Sequence, residues 1–345
     1  MSQPLRVAVL GCGYWSGFQI PAWQSLGVQV VGCWNRTRAR ADATAAKWGI
    51  PRVFDTPEEL FAWGQFDIAD IIADVDAHES LTLMAAGHRK DVICQKPMSA
   101  TLESCERMVR ACRESGVWYA VHENFRWQPP LSAVSRALDE GTLGRILHAH
   151  VALKSPDRDI MSKQPALTRM DHMALRDMGP HIFDVVRRWF GEARALYSLP
   201  VSSYADIPVQ DTAMTLLDMA GGFPVQADLC HRWEYRMFAE GEAGTLLLDS
   251  DNVLHIHDGA GRRSVDTKTW QYLPYIPRDD WAVHGGHVFA SIPACLRELK
   301  DSYEAGRPSA TSGQDNLESV RLVFAAIRSW DENRSVKIDE MRSAT

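Results

Sequence analysis

A glycine-rich turn near the amino terminus constrains the fold of this chain more than any other feature. The apolar run Leu5–Leu10 is typical of a buried strand, and it leads directly into Gly11–Gly17, with the sequence GCGYWSG. Gly11 would allow a sharp turn, Gly13 would leave room for a pyrophosphate, and the small residue Ser16 would let a helix pack closely on the strand. The junction therefore predicts the first βαβ unit of a dinucleotide-binding domain, in which helix N–H groups face the phosphates.

The first 125 residues repeat this alternation of short apolar runs and helical patterns. Between the runs, helical spacing is clearest over Ala100–Ser115, and Gly116 stands where a helix commonly ends. Short apolar strands separated by helices are typical of a parallel sheet that is covered on both faces. We therefore expect an α/β protein whose residues 1–125 form an N-terminal Rossmann domain. The further predicted strands are Gln29–Trp34, Ile68–Ala73, Val92–Gln95 and Val117–Val121.

The pattern changes after Trp127. Gln128-Pro129-Pro130 predicts a break in any element that arrives from the first half. Beyond it, residues 126–345 contain longer runs with period-two alternation, which favours a mainly antiparallel sheet in a second domain. Helical spacing returns in His287–Lys300 and Leu317–Trp330. The predicted strands of this domain lie at Ile146–Leu153 and in segments that begin at Thr212, Val225, Thr245 and Asn252.

Composition disfavours several classes of protein. The chain has 37 Lys and Arg against 44 Asp and Glu, a net charge of −7 that would repel nucleic acid. No apolar run approaches the 18 or so residues that cross a bilayer, and the amino terminus carries no signal-peptide pattern. The seven cysteines lie mostly in apolar stretches, without metal-ligand spacing. We expect a cytoplasmic protein with no nucleic-acid or membrane partner, no metal and no disulfides.

The end of the second predicted strand bears on the choice of cofactor. NAD-binding chains usually place Asp or Glu there to bind the ribose hydroxyls, whereas this chain has Asn35-Arg36-Thr37-Arg38. An amide, a hydroxyl and two guanidinium groups could hold the 2′-phosphate of NADP. Alternatively, Asn35 binds a ribose hydroxyl while Arg36 and Arg38 are solvated residues at a helix start.

Two residues are candidates for catalysis. Lys96 follows the predicted strand Val92–Gln95, at the sheet edge where α/β folds bind ligands. In Asp177–His181, Pro180 predicts a helix start, with His181 in the first turn, where the helix dipole favours a neutral imidazole. Asp177 could orient that ring. The alternatives are a solvated lysine and a structural histidine.

Four segments together resemble the Gfo/Idh/MocA oxidoreductases, and the resemblance covers nearly the whole chain. It implies a Rossmann domain followed by an α/β domain with a large open, mainly antiparallel sheet whose face meets partner subunits in a homodimer or homotetramer. It also implies that Lys96, Asp177 and His181 form the catalytic group. The segments are the glycine turn with Ile20-Pro21-Ala22, the triplet Gln95-Lys96-Pro97, the pattern Asp177-x-Gly179-x-His181-x-x-Asp184, and the closing helix from Ser312-Gly313 to Ser329.

The chain departs from that family in two places and resembles one subgroup in several. Residues 73–78 read ADVDAH where the family commonly has Thr-Pro, and Gln95 replaces a glutamate that usually meets the nicotinamide ribose. The strings NRTR (35–38), ADVD (73–76), ICQKPM (93–98) and HENFRWQ (122–128) look similar to D-apiose dehydrogenases, which oxidise a branched pentose to its lactone with NAD. Since residues 35–38 by themselves favour NADP, the cofactor stays open as NAD or NADP.

The binding residues follow from these motifs. His122, Asn124, Arg126 and Trp127 come after the last Rossmann strand and offer hydrogen-bonding and stacking groups to a carbohydrate. Alternatively, Phe125 and Trp127 pack at a hinge between the domains, and Glu123 pairs with Arg126. The predicted cofactor-binding residues are Gly11, Gly13, Tyr14, Trp15, Ser16, Asn35, Arg36, Thr37, Arg38, Asp74, His78, Gln95 and Lys96.

We therefore expect an NAD(P)-dependent dehydrogenase that transfers a hydride from a sugar or polyol carbinol to nicotinamide. His181 would take the hydroxyl proton, and Lys96 would hydrogen-bond the same oxygen. Two alternatives remain open. One is a non-catalytic NAD(P)-binding sensor, and the other is a glycoside-processing enzyme that uses bound NAD only transiently.

Overall fold

A computed structural model describes residues 3–156, 158–164, 167–231, 235–267 and 286–342. The chain divides into two compact units, which we call unit 1 (Met1–Asn124 and Leu273–Leu317) and unit 2 (Phe125–Tyr272 and Glu318–Thr345). The predicted second domain, 126–345, differs from unit 2, because residues 286–317 belong to unit 1.

The strands and helices alternate through the amino-terminal third of the chain, and strands dominate after it. In chain order the strands are β1 (Arg6–Leu10), β2 (Gln29–Trp34), β3 (Val53–Phe54), β4 (Ile68–Ile71), β5 (Asp91–Gln95), β6 (Tyr119–His122), β7 (Ile146–Lys154), β8 (Ala193–Val201), β9 (Thr212–Met219), β10 (Pro224–Cys230), β11 (Tyr235–Gly241), β12 (Gly244–Asp249), β13 (Val253–Asp258), β14 (Gly261–Asp266) and β15 (Val336–Lys337). The α-helices are α1 (Ser16–Ser25), α2 (Arg38–Trp48), α3 (Pro57–Trp63), α4 (Val75–Gly87), α5 (Leu102–Ser115), α6 (Pro129–Asp139), α7 (Arg158–Lys163), α8 (Met173–Phe190), α9 (Gly286–Glu304) and α10 (Gly313–Glu332). One short 3₁₀ helix, Phe125–Trp127, bears on the site.

Unit 1 contains a parallel six-stranded sheet in the order β3-β2-β1-β4-β5-β6. This is the strand order of a Rossmann fold, and it confirms the predicted class. All five predicted strands are present. The two-residue strand β3 was not predicted, since so short a run carries no readable periodicity.

Helix α9 returns the chain to unit 1. Its Ser291 hydroxyl accepts a hydrogen bond from the Asn124 side chain, and Tyr303 near its end donates one to Asp91 at the start of β5, 3.1 Å away. The amphipathic pattern predicts a helix here but gives no information about which sheet the helix covers.

Unit 2 contains a nine-stranded sheet in the order β14-β13-β12-β11-β7-β10-β9-β8-β15. Only β7 and β10 run parallel, so the sheet is mainly antiparallel, as predicted. The buried residues of α8 and of one sheet face form a single hydrophobic core. The predicted break at Gln128-Pro129-Pro130 is instead the start of α6, because proline is accommodated in the first turn of a helix.

Within the described ranges, no helix is both long enough and apolar enough to cross a membrane. The seven cysteines are free thiols.

One ionisable side chain lies in the centre of the unit 1 sheet. Asp70 on β4 is 0% exposed, and its Oδ2 accepts a hydrogen bond from the Trp23 indole at 2.8 Å. Its other oxygen, Oδ1, has no hydrogen-bond partner among the described residues. Burial raises the pKa of Asp70 to about 7.

Asp70 makes the stability of the protein depend on pH. An exposed aspartate in the unfolded chain has a pKa of about 3.9, so between about pH 4 and 7 the unfolded chain releases a proton that the folded chain retains. The free energy of unfolding should therefore fall as pH rises through this range and stay reduced above pH 7. Asp70→Asn preserves an acceptor for Trp23 and cannot ionise, so it should unfold at a higher urea concentration than the wild type at pH 8, with a smaller advantage at pH 5.

The control for this comparison is Asp301→Asn, which alters an exposed aspartate of the same unit. It should reproduce the wild-type dependence of the urea midpoint on pH. An Asp70→Asn protein that does the same would contradict the assignment of this dependence to Asp70.

Candidate functional site

The glycine turn is packed between the ends of two neighbouring strands. Gly11 has φ +112°, and its N–H donates to the Trp34 carbonyl at the end of β2 at 2.8 Å. A Cβ built on Gly11 would lie 2.5 Å from the Ala73 backbone nitrogen, just beyond β4. Both the backbone conformation and the contact therefore require glycine at position 11.

Gly13, by contrast, faces open space. A Cβ at this position would have no protein atom within 4 Å, so the packing of the chain itself does not demand a glycine. The open space lies beside the start of α1, where Ser16 Oγ donates to the Gly13 carbonyl at 2.7 Å. Tyr14 and Trp15 flank it, edge to face with ring centroids 5.1 Å apart. The prediction that a dinucleotide pyrophosphate lies here, next to helix N–H groups, requires such an open space.

Asn35 connects this turn to the end of β2. Its Oδ1 accepts from the Cys12 N–H at 3.0 Å, and its Nδ2 donates to the Thr37 carbonyl at 3.0 Å. The amide oxygen of Asn35 is thus occupied by the backbone of the glycine turn, and its amide nitrogen by the backbone of Thr37. Thr37 precedes α2 and makes no side-chain cap.

Both arginines of the NRTR string are paired with carboxylates. Arg36 bonds Asp74 at 3.1 Å, and Arg38 bonds Asp42 at 2.9 Å and also contacts Asp55. Both guanidinium groups, which are predicted to bind a 2′-phosphate, thus form ion pairs on the surface. All these side chains are exposed, and three carboxylates near them would repel a 2′-phosphate.

His78 was predicted to contact the cofactor, but the structure buries it. The side chain is 1% exposed, with Nε2 3.0 Å from the Ala73 carbonyl and Nδ1 3.0 Å from the Pro97 carbonyl and 3.3 Å from that of Met98. Burial lowers the pKa of His78 even though the carbonyls oppose this effect. The ring holds together the two backbone segments that follow β4 and β5.

Lys96 lies at the carboxyl end of β5, as predicted. The side-chain oxygen of Gln95 accepts a hydrogen bond from the Lys96 N–H at 2.8 Å, and the Lys96–Pro97 peptide bond is cis. The Gln95 side chain therefore turns back onto the next peptide. Lys96 itself is half-buried.

The prediction that a helix starts at Pro180 is wrong. Helix α8 begins at Met173 and contains Pro180, so His181 is the ninth of its 18 residues and does not lie in the first turn. The argument that the helix dipole keeps this imidazole neutral does not apply, because that effect is confined to the terminal turn. Asp177, His181 and Asp184 are spaced by four and three residues, which places them on one face of α8.

The 3₁₀ helix Phe125–Trp127 contacts that face of α8. The Phe125 ring lies flat on the His181 imidazole, with centroids 3.6 Å apart and planes 9° apart. Arg126 pairs with both oxygens of Asp184, with Nε 2.7 Å from Oδ2. Arg126, predicted to bind substrate, is thus paired with a carboxylate of its own unit.

The other predicted substrate residues differ in exposure. His122 and Asn124 are buried in unit 1, and Asn124 donates to Ser291. Trp127 is half-buried in unit 2. The sequence did not predict that Phe125 stacks on His181 or that Asp184 pairs with Arg126. Asp184 was visible in the family pattern, but its partner lies 58 residues away in sequence.

Comparison with known proteins agrees with this geometry. Residues 5–123 match the model of the oxidoreductase family with an NAD-binding Rossmann fold, and residues 131–247 match that of the GFO/IDH/MocA C-terminal domain. A D-apiose dehydrogenase of Paraburkholderia graminis is 32% identical over 97% of this chain and 90% of its own length. The chain belongs to the Gfo/Idh/MocA oxidoreductases.

Two further similarities extend over the whole of this Gfo/Idh/MocA chain. A D-apiose dehydrogenase of Rhizobium rhizogenes is 30% identical over 98% of both chains. An oxidoreductase from Agrobacterium radiobacter, solved in complex with NAD+, L-tartaric acid and magnesium, superposes with a TM-score of 0.91 at 30% identity, over 99% of this chain and 100% of that one. The predictions of the family, the fold, an oxidoreductase and an NAD-binding domain are confirmed.

The two glycines of the turn give a matched pair of variants. Gly13→Ala should leave the urea midpoint unchanged, because its new methyl group meets no protein atom, yet raise the Kd for NADH at least about tenfold by filling the pyrophosphate space. Gly11→Ala should lower the urea midpoint, because its methyl group would collide with the Ala73 backbone. NADH fluorescence titration and urea unfolding measure the two effects.

Gly87→Ala is the control, since Gly87 in α4 also has open space around its Cβ position. It should leave the Kd for NADH unchanged, although alanine in a helix should raise the urea midpoint slightly. Wild-type affinity for NADH in Gly13→Ala would show that the pyrophosphate lies elsewhere.

Proposed function

We propose that this protein is an NAD-dependent dehydrogenase of a sugar or polyol, and that D-apiose, oxidised to its lactone, is the first substrate to test. The observation that carries the proposal is the 30–32% identity to two D-apiose dehydrogenases over 97–98% of this chain. The similarity of the strings NRTR, ADVD, ICQKPM and HENFRWQ points to the same subgroup.

The residues of the catalytic group have distinct proposed roles. His181 takes the proton of the substrate hydroxyl, because histidine is the side chain that most often acts as a general base. Lys96 donates a hydrogen bond to the same oxygen as negative charge builds there, because an ammonium group stabilises a developing oxyanion. Asp177, one turn before His181 on α8, orients the ring. NAD, when bound, accepts the hydride.

We propose NAD over NADP as the preferred cofactor. Arg36 and Arg38, the two cationic groups in the argument for a 2′-phosphate, are paired with Asp74, Asp42 and Asp55. These carboxylates disfavour a further anion, whereas ribose hydroxyls carry no charge.

We also propose that the open face of the unit 2 sheet binds further copies of the chain, as a homodimer or homotetramer. The register pairs Leu199 with Met214 and Tyr197 with Leu216 across β8 and β9, on the face opposite the core. Leu216 is 54% exposed, and Leu199 and Met214 are exposed beside it. Adjacent exposed apolar side chains on a sheet face are typical of a protein interface.

The catalytic proposal is tested with a panel of aldoses and polyols that includes D-apiose and myo-inositol, run with NAD and with NADP. Reduction of NAD should exceed that of NADP. Lys96→Ala and His181→Ala should each lower kcat by about 10²–10⁴, the range of acid–base catalysis, and His181→Ala should keep the wild-type Kd for NADH.

The panel also separates the alternatives. Binding of NADH without turnover of any sugar would favour a sensor, and a product formed without added NAD would favour a glycoside-processing enzyme. Wild-type turnover in either variant would remove that residue from the chemistry.

The oligomer proposal is tested by light scattering coupled to size exclusion. Leu216→Glu places a charge on the open sheet face, so the measured mass should fall toward that of one 38.7 kDa chain. Leu83→Glu, at an exposed leucine of α4 in unit 1, is the control and should keep the wild-type mass. A wild-type protein that elutes as a monomer would refute the proposal.

A further inference from the structure

Two consecutive residues of the 3₁₀ helix Phe125–Trp127 contact two residues one turn apart on α8. Phe125 covers His181, and Arg126 pairs with Asp184. His181 and Asp184 are separated by three residues and therefore share one helix face. Both contacts lie within unit 2.

The contact between the rings restricts the imidazole. With a plane-to-plane angle of 9° and centroids 3.6 Å apart, the phenyl ring blocks one complete face of His181. This separation is already van der Waals contact, so a large rotation of the imidazole about its Cβ–Cγ bond would drive a ring edge into the phenyl group. The two ring nitrogens are thus confined to a plane parallel to Phe125.

The neighbouring ion pair holds Phe125 in place. Arg126 is 10% exposed and Asp184 is 0% exposed, so the pair is shielded from solvent, and both guanidinium contacts to the carboxylate are made. A paired, bidentate contact of this kind fixes orientation as well as distance. It ties the residue after Phe125 to the helical turn that follows His181.

We propose that Phe125 is a positioning residue that sets the orientation of the His181 imidazole toward the substrate hydroxyl. The proposal rests on the proposed role of His181 as the base. Proton transfer requires a heavy-atom distance of about 2.6–3.2 Å, and a misplacement of about 1 Å can cost about 10²-fold in rate. A histidine side chain on a helix has two rotatable bonds, and the flat contact with Phe125 restricts the second of them.

The kinetic test uses the full-length protein with NAD and the most active sugar of the panel. Phe125→Leu keeps an apolar side chain but loses the flat ring, so kcat should fall about 10–100-fold while the KM for NAD changes less than about twofold. Phe125→Tyr restores a ring that can stack and should keep kcat within about threefold of the wild type. Phe223→Leu removes a phenyl ring that packs edge-on against Phe190 in the same unit, and it should leave kcat unchanged.

A spectroscopic test reads the stacking directly and does not depend on activity. In protein labelled with ¹³C at histidine Cε1, the His181 resonance is the one that disappears in His181→Gln. The phenyl ring current should hold the attached proton upfield in the wild type and in Phe125→Tyr, and Phe125→Leu should move it downfield.

The outcomes separate this proposal from the proposed function. Full turnover in His181→Gln would refute the catalytic role of His181. If that variant is inactive but Phe125→Leu retains kcat within twofold, the positioning proposal fails and the function stands. A loss in Phe125→Leu that Phe125→Tyr does not restore, or an unmoved His181 resonance, would also overturn it, because a ring contact that sets orientation must be restored by another ring.

Discussion

The approach of the Gly11 backbone to Ala73 is the constraint on which the cofactor half of this protein depends. It brings the ends of β1, β2 and β4 together, so that the glycine turn rests on the segment that leaves β4. The Ala73 carbonyl in turn faces the His78 ring, whose other nitrogen faces the carbonyls of Pro97 and Met98. Contacts of the Ala73 backbone and the His78 ring thus join the glycine turn to the segment that carries Lys96.

In unit 2, contacts between side chains hold neighbouring segments together. The face of α8 that carries His181 and Asp184 is held by a flat aromatic contact on His181 and a shielded ion pair on Asp184, and both come from one short segment, Phe125–Trp127. In each unit, therefore, polar groups that the sequence predicts as ligands instead hold neighbouring segments together, as His78 and Arg126 do.

Local patterns in the sequence predicted the features that depend on neighbouring residues. The glycine turn, the five longer strands of unit 1 and the position of Lys96 follow from short-range sterics and periodicity. The start of α8 could not be predicted in this way. Its first residue is preceded by His172, which has a left-handed conformation and makes no side-chain cap, whereas Pro180 is typical of a helix start. The buried residues on both sides of Pro180 keep the helix continuous through it.

Features that depend on distant residues were not predictable. The carboxylate partners of Arg36 and Arg126 lie 38 and 58 residues away, and a single sequence does not show such pairs. Histidine is a residue type that often binds ligands, which is why His78 was a candidate. The carbonyls around its ring come from segments that only the folded sheet brings together, so its structural role could not be predicted.

The return of α9 to unit 1 has a consequence for synthesis on the ribosome. Asn124 is made early, but Ser291, which bonds it, emerges only after almost all of unit 2. At the usual 5–20 residues per second, the amino-terminal sheet waits roughly 10–30 s for the helix that completes it. During that interval, a nascent chain of this protein therefore exposes the apolar surface that α9 later covers.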